Sequence, residues 1–371
     1  MKLKIATRWE VKVEGDKRSI QLYDAKGNPL KGEEAKWKDD FDCSSNQLTS
    51  LEGAPKVVWG SFSCNNNNLT SLEGGSKVVL KDFICSDNQL TSLEGAPEEV
   101  GGSFDCSNNR LISLKGAPKK IRGDFYCYNN QLTSLEGGPK EVEGILNCIK
   151  NKLTSLVGSP KIIGSHFICS YNNLTSLKGA PKKIRGYFYC DANDLTSLEG
   201  APEEVEAHFS CIGNKLTSLE GAPRKVGGDF YCQTNRLTSL KGAPKEVGGR
   251  FNCSYNQLTS LEGAPKVVGK SFYCQMNRLT SLKGAPRKIK GHFHCYNNQL
   301  TSLKGAPKGI EGNFYCYKNQ LTSLEGAPEE VGGHFYCDNN KLTSLKGKPK
   351  SVKGNLVATI GDQVILEGQQ R

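Results

Sequence analysis

Apolar and polar positions along this chain recur with a period of 21 residues. Fifteen Cys run from Cys43 to Cys337 at that interval, and no Cys lies elsewhere. Phe stands two residues before each Cys in fourteen copies, with Leu146 in the slot once. Leu follows each Cys by five and by eight, and Val or Ile follows by fifteen. The polar positions keep the same phase. Asn follows each Cys by three, Thr-Ser separates the two Leu in nearly every copy, and Gly follows by ten. Pro follows by twelve, with Ser76 the one exception. The consensus is FxCxxNxLTSLxGAPxxVxGx.

Each part of the unit predicts a local structure. Phe and Cys alternate, so both point to one face of a short strand. The Asn amide bonds backbone groups where that strand turns. The two Leu return to the interior, Gly-Pro makes a bend with no helix through it, and Val or Ile closes the coil. One unit holds about five core side chains and cannot bury them alone, so units must stack into a continuous core. The expected fold is a repeat solenoid, mostly strand and coil with little helix. A parallel β-helix is the rival architecture.

The flanks differ. Residues 1–40 read as two strands around Gly15-Asp16 and a second turn at Lys26-Gly27-Asn28-Pro29. Trp9, Ile20, Leu22 and Trp37 are positioned to cover the first repeat. The last segment, LVATIGDQVILEGQQR, begins with Leu356 in the Phe slot and Ala358 in the Cys slot. It reads as a half repeat and a closing strand. The expected organisation is an N-terminal β-hairpin cap over 1–40, fifteen repeats over 41–355 and a C-terminal cap over 356–371.

Composition agrees with a thin, elongated structure: 41 of 371 residues are Gly, 2 are Met and only 36% are apolar. No stretch approaches the roughly 18 apolar residues of a membrane helix. The N-terminus lacks a small-residue cleavage site, so no signal peptide is expected. The odd number and uniform spacing of the Cys argue against a disulfide framework. A reduced, cytoplasmic setting is expected.

The segment FxCxxNxL resembles the leucine-rich-repeat core LxLxxNxL, with Phe and Cys in its first two apolar slots. LTSL followed by Pro is similar to the short bacterial repeats of secreted Gram-negative effectors, which carry LTxLP. The chain departs from them in reading LEGAP or LKGAP with 21 residues rather than 20. Similar Cys-bearing copies resemble repeats in phage and bacterial proteins. The resemblance implies a horseshoe or superhelix with a parallel β-sheet on its concave face. It also implies a phage or bacterial interaction protein that inhibits or sequesters a host or defence protein. Some such effectors append a ubiquitin ligase, and the 16 residues after the last repeat are too few for one.

The repeated polar groups carry no recognisable chemistry. Cys is a small, readily buried apolar residue, and here it shares the inward face with Phe. Stacked Cys point the same way, whereas a metal needs converging ligands, and there is no CxxC. Fifteen equivalent serines argue against a catalytic Ser. GxSxG, Walker A and HExxH motifs are absent. Neither an enzyme nor a cofactor or metal is expected.

The variable positions are more informative. The outward slots are read as three before, one before, one after and two after each Cys, lining the concave face. They hold 12 of the 13 Tyr and all five His. The expected partner-binding residues are Tyr126, Tyr128, Tyr187, Tyr189, Tyr231, Tyr273, His292, His294, Tyr296, Tyr315, Tyr317, His334 and Tyr336. Tyr171, Tyr255, His166 and His208 share these slots. Strand propensity and cross-strand stacking would alone account for such aromatics. A recognition surface would too, because Tyr supplies rigid amphipathic area at low entropy cost. His292 and His294 share one strand face, but His334 is two repeats away, roughly 10 Å, too far for one ion.

The net charge of +11 is unevenly placed. The outward slots hold nine Asp (40, 42, 82, 87, 105, 124, 191, 229 and 338) against Lys150, Arg250 and Lys318. Basic blocks lie on the flank and convex side: Lys119, Lys120 and Arg122; Lys182, Lys183 and Arg185; Arg287, Lys288 and Lys290. Acidic LEGAPEEVGG blocks alternate with them. The leading expectation is a protein partner, with Tyr as anchors and Asp selecting a basic patch. The alternative is nucleic acid, with the basic blocks as phosphate contacts. Aromatics and bases on different faces weigh against it. No membrane partner is expected.

Overall fold

The computed structural model describes residues 3–368, which divide at Gly186/Tyr187 into two compact units. Residues 1–2 and 369–371 of the two expected caps lie outside the described residues. The architecture is a β-solenoid of 21-residue coils, with a single short 3-10 turn at Gly32–Glu34 among the described residues.

In the first unit, strands of two residues stack in parallel with an offset of one repeat. Phe41 pairs with Phe62, Phe83 with Phe104 and Phe125 with Leu146. The Phe rings form an internal column, with centroids 5.2 Å apart for Phe41–Phe62 and 5.9 Å for Phe104–Phe125. Each coil holds two strands where the sequence suggested one. The second ladder carries the Val/Ile slot, pairing Val58 with Val79 and Ile121 with Val142. Closing the coil with a β-branched residue on a repeated strand gives its backbone a regular partner on both sides.

The N-terminal segment forms an antiparallel hairpin of Arg8–Glu14 and Lys17–Tyr23 around Gly15-Asp16. Pro29 lies in a short strand against Tyr23 rather than in the turn, which ends at Asn28. Trp9 and Trp37 pack on Phe41 at 5.6 and 5.1 Å, and Ile20 and Leu22 are buried.

The second unit repeats the pattern. Its Phe column runs from Phe188 to Phe335 at centroid separations of 5.0–5.8 Å. Leu356–Ile360 lies in parallel on Phe335–Cys337, and Gln363–Glu367 folds back antiparallel to it.

The repeated polar residues serve the backbone. Asn67 Nδ2 donates to the carbonyls of Cys43, one coil back, and Cys64, both at 3.0 Å, while its Oδ1 accepts the Leu48 N–H at 2.8 Å. The Ser of Thr-Ser accepts the N–H two residues on, as Ser50 does from Glu52 at 3.1 Å. Ser76, in the Pro slot, donates to the Pro55 carbonyl at 2.5 Å. The Gly before Ala-Pro is required twice over: Gly116 has φ of 93°, and a Cβ there would sit 2.5 Å from the Leu93 carbonyl carbon.

All fifteen Cys are buried and none is in a disulfide. No helix among the described residues is long and apolar enough to cross a membrane.

Candidate functional site

The outward slots separate into three kinds of position. The slot two after Cys is not a strand position. Its residues have positive φ, including Asn66 (53°), Tyr171 (55°), Thr234 (57°), Tyr255 (53°) and Lys318 (52°). The chain turns left-handed there, which corrects the reading of Tyr171, Tyr255, Lys150, Lys318 and Asp87 as members of the strand face. Asn and Asp tolerate this conformation best, and they hold many of these slots.

The slot three before Cys is occupied mainly by hydrogen-bond acceptors, and they are used. His208 Nδ1 accepts the Asp229 N–H at 2.7 Å, Asp229 Oδ1 accepts the Arg250 N–H at 2.6 Å, and Ser271 Oγ accepts the His292 N–H at 3.0 Å. The series continues with His292 to Asn313, Asn313 to His334 and His334 to Asn355, at 2.8–3.0 Å. In the first unit Asp40, Asp82 and Asp124 do the same for Ser61, Ser103 and Ile145. These His and Asp hold successive coils together. The sequence signal was present in the restriction of this slot to Asp, Ser, His and Asn in most copies.

The slots one before and one after Cys form the outward strand face. In the second unit they build an aromatic array. The His294 imidazole stacks between Tyr273 and Tyr315, with both centroids at 4.5 Å, and Tyr336 stacks on Tyr315 at 5.1 Å. A parallel row holds Tyr296 and Tyr317, stacked at 4.5 Å with their ring planes nearly parallel. His294 meets Tyr296 edge-on at 6.2 Å, joining the rows. Burial, with His292 nearby, pushes the His294 pKa down to about 4, so the ring is neutral. Two residues not anticipated from the sequence contribute here. Gln275 is 8% exposed, and its Oε1, like His294 Nε2, has no hydrogen-bond partner. Val357 pairs with Tyr336 and extends the row by one strand.

The remaining expected contact residues form smaller groups. In the first unit the Tyr126 and Tyr128 rings meet edge-on at 6.4 Å. The Tyr126 hydroxyl donates to Asp124 at 2.7 Å, and burial together with that carboxylate pushes its pKa up to about 12. In the second unit Tyr187 stacks on Tyr189 at 5.4 Å and lies 4.8 Å from His208. Tyr231 donates to Asp229 at 2.6 Å and is likewise raised to about 12 by burial and that carboxylate. Burial works against ionisation of Asp229, yet the Arg250 N–H, the Tyr231 hydroxyl and neighbouring positive charge hold its pKa below the usual range.

The expected phosphate contacts lie along the Val/Ile ladder. Lys120 and Ile121 form one of its strands, as do Lys183–Ile184 and Lys288–Ile289. Lys120 is bridged to Glu141 at 3.3 Å and Glu143 at 2.7 Å. Depressions there mix Lys119, Lys120 and Arg122 with Glu98 and Glu99, Lys182, Lys183 and Arg185 with Glu141 and Glu143, and Arg287 and Lys288 with Glu311 and Glu330. The bases on this face are interleaved with carboxylates. Among the described residues no cluster of three or more His, Cys, Asp or Glu is arranged to hold a metal ion.

No protein-family model matches the sequence, and neither does any curated protein. Solved structures resemble the fold. The leucine-rich-repeat domain of APL1 matches with a TM-score of 0.53 at 15% identity, over 83% of this chain and 87% of that one. YopM, described as a leucine-rich effector protein from Yersinia pestis, matches with 0.48 at 20% identity, over 79% and 87%. A domain of InlJ from Listeria monocytogenes, described as including a cysteine ladder, matches with 0.43 at 19% identity, over 86% and 68%. The 21-residue coils, the parallel ladders and the first of these likenesses together give the chain a leucine-rich-repeat fold.

Proposed function

We propose that the protein is a non-enzymatic binding scaffold whose contact surface is the aromatic strand face of the second unit. The observation that carries this reading is the stack of Tyr273, His294, Tyr315 and Tyr336 beside Tyr296 and Tyr317. Stacking immobilises each ring before a partner arrives, so little side-chain entropy remains to be lost on binding. Tyr is also among the residue types most enriched as interface anchors. The partner is a protein. Asp40, Asp82, Asp124 and Asp229 accept backbone N–H groups of the next coil, so the aromatic rings rather than the Asp are the main contacts in this reading. Tyr126, Tyr128, Tyr187, Tyr189 and Tyr231 form secondary contacts. A bacterial or phage origin and a role in disabling a host or defence protein belong to the same proposal and rest on resemblance, and a reducing compartment rests on the odd number and even spacing of the Cys.

Affinity capture from the native host, with the wild-type chain and a Tyr315→Ala/Tyr336→Ala variant, tests it. One protein species retained by the wild type at high salt and lost with the variant supports the reading. Capture of nucleic acid that weakens steeply with salt overturns it in favour of the basic face.

A further inference from the structure

We propose that the partner protein lays an extended acidic segment along the turn side of the aromatic face, with an apolar side chain seated on Met276. This deepens the binding-scaffold reading and rests on it. Tyr296 and Tyr317 are followed by Asn297 and Lys318, where the chain turns left-handed. In the two preceding coils that turn holds Tyr255 and Met276, at φ of 53° and 57°. Their side chains are 54% and 39% exposed. The conformation suits Asn, as at Asn297 and Asn339, and disfavours both Tyr and Met. Backbone strain kept for two exposed apolar side chains points to a use outside the fold.

Tyr255, Met276, Asn277, Asn297, Asn298 and Lys318 line a shallow depression there. The amides of Asn277 and Asn298 donate to the carbonyls of Cys253 and Cys274, at 3.0 and 3.1 Å. That leaves Tyr255, Met276 and Lys318 to meet a partner. Met adapts its shape to what it touches, which suits a contact made by one apolar side chain.

Charge decides the chemistry of the segment. Arg278 and Gln299 follow Asn277 and Asn298, in a row with Arg236, Gln257, Gln320 and Lys341. Each N–H of that row donates to a Leu carbonyl one coil back, so the row is stacked in register. Arg236, Arg278, Lys318 and Lys341 are in no ion pair among the described residues. Elsewhere in this unit lysines pair with a Glu one coil away, as Lys241–Glu220, Lys283–Glu262 and Lys346–Glu325 do at 2.7–2.8 Å. Here Gln fills the slots between the bases. From Tyr255 on, Asp338 is the only acid in the slots one, two and four after Cys. Unpaired bases beside an apolar contact select carboxylates. Arg236 and Arg278 are two coils apart, roughly 10 Å, which is about three residues of extended chain. Single-stranded nucleic acid fits less well, because a base needs a free ring face, and Tyr296 and Tyr317 stack on each other and offer their edges.

Selection of a phage-displayed random-peptide library on the full-length chain tests this. The selected peptides are expected to carry an apolar residue flanked by Asp or Glu, with the acids about three residues apart. A synthetic peptide of the selected sequence is expected to associate about tenfold more slowly with an Arg278→Gln/Lys318→Gln variant, and more slowly with the wild type as salt rises. Met276→Asn is expected to abolish its binding without lowering the melting temperature, because Asn suits the turn. Selected peptides without acidic residues overturn the proposal, and so does a library that yields no enriched sequence. Preference for a single-stranded oligonucleotide over the peptides overturns it too. Binding lost with Tyr315→Ala/Tyr336→Ala but unchanged in Arg278→Gln/Lys318→Gln and Met276→Asn leaves the aromatic face standing and removes the acidic segment.

Discussion

The side-chain amide of Asn130 donates to the carbonyl of Cys106, one repeat earlier, at 3.0 Å. The same nitrogen reaches the Cys127 carbonyl at 3.2 Å, and Oδ1 accepts the Leu111 N–H at 2.9 Å. One buried side chain thus satisfies backbone groups of two coils. Asn130→Ala is expected to leave the Leu111 N–H unpaired in the core, while the Cys106 carbonyl keeps Asn109 Nδ2 at 3.2 Å. An orphaned buried group costs about 1–3 kcal/mol, and a loss of that size is expected in urea unfolding. A change below about 0.5 kcal/mol would contradict this role.

The thiols should be inert. Burial pushes the Cys148 thiol up to about 12 and raises the others in the same direction wherever a shift is resolved, as at Cys64 and Cys127. A thiol reagent added to the folded protein is expected to label none of the fifteen, and all of them after denaturation. Labelling of any one in the native state would show that its coil opens.

Thr234 carries a local strain that its exposed position does not offset. A β-branched residue at φ of 57° is disfavoured, and Asn occupies the same slot at Asn66, Asn108 and Asn129. Thr234→Asn is expected to stabilise the second unit by about 1 kcal/mol, read as a shift of the unfolding midpoint with unchanged slope. No shift, or a loss, would count against the strain.

His294 gives the stability a dependence on acid. Burial, reinforced by His292, lowers its pKa from 6.5 to about 4. A depressed base binds its proton more readily in the unfolded chain. Its contribution is therefore complete above the unfolded value and is lost as pH falls towards the folded one. Tyr fills the same slot at Tyr273, Tyr315 and Tyr336, so His294→Tyr keeps the stack and removes the titration. Between pH 7 and pH 4 the variant is expected to gain about 1–2 kcal/mol on the wild type, allowing for partial exposure. Parallel stability profiles in urea at the two pH values would refute this.

Much of the fold was legible because its determinants are local. Phe125 and Cys127 alternate about Tyr126, which puts them inside and Tyr126 outside, as the burial pattern has it. The second ladder was less legible, because copies such as Lys120-Ile121 and Glu141-Val142 show one apolar position and no alternation. The outward face was legible only in part. His292 and His294 look equivalent in sequence, two residues apart on one face. One accepts the Asn313 N–H, while the other stacks between two tyrosines.

The sequence by itself determined the 21-residue coil, the inward Phe, Cys and Leu, and the outward Tyr, because periodicity specifies which residues align and which way they point. The tertiary structure decided what those aligned residues do to one another. Whether an acceptor meets the amide of the next coil, as His208 meets Asp229, depends on the close spacing of stacked backbones. Whether rings stack, as Tyr315 does on Tyr336, depends on the spacing and rotation of successive strands. Neither is written in a repeat's spacing, because both arise only when coils are laid one upon another.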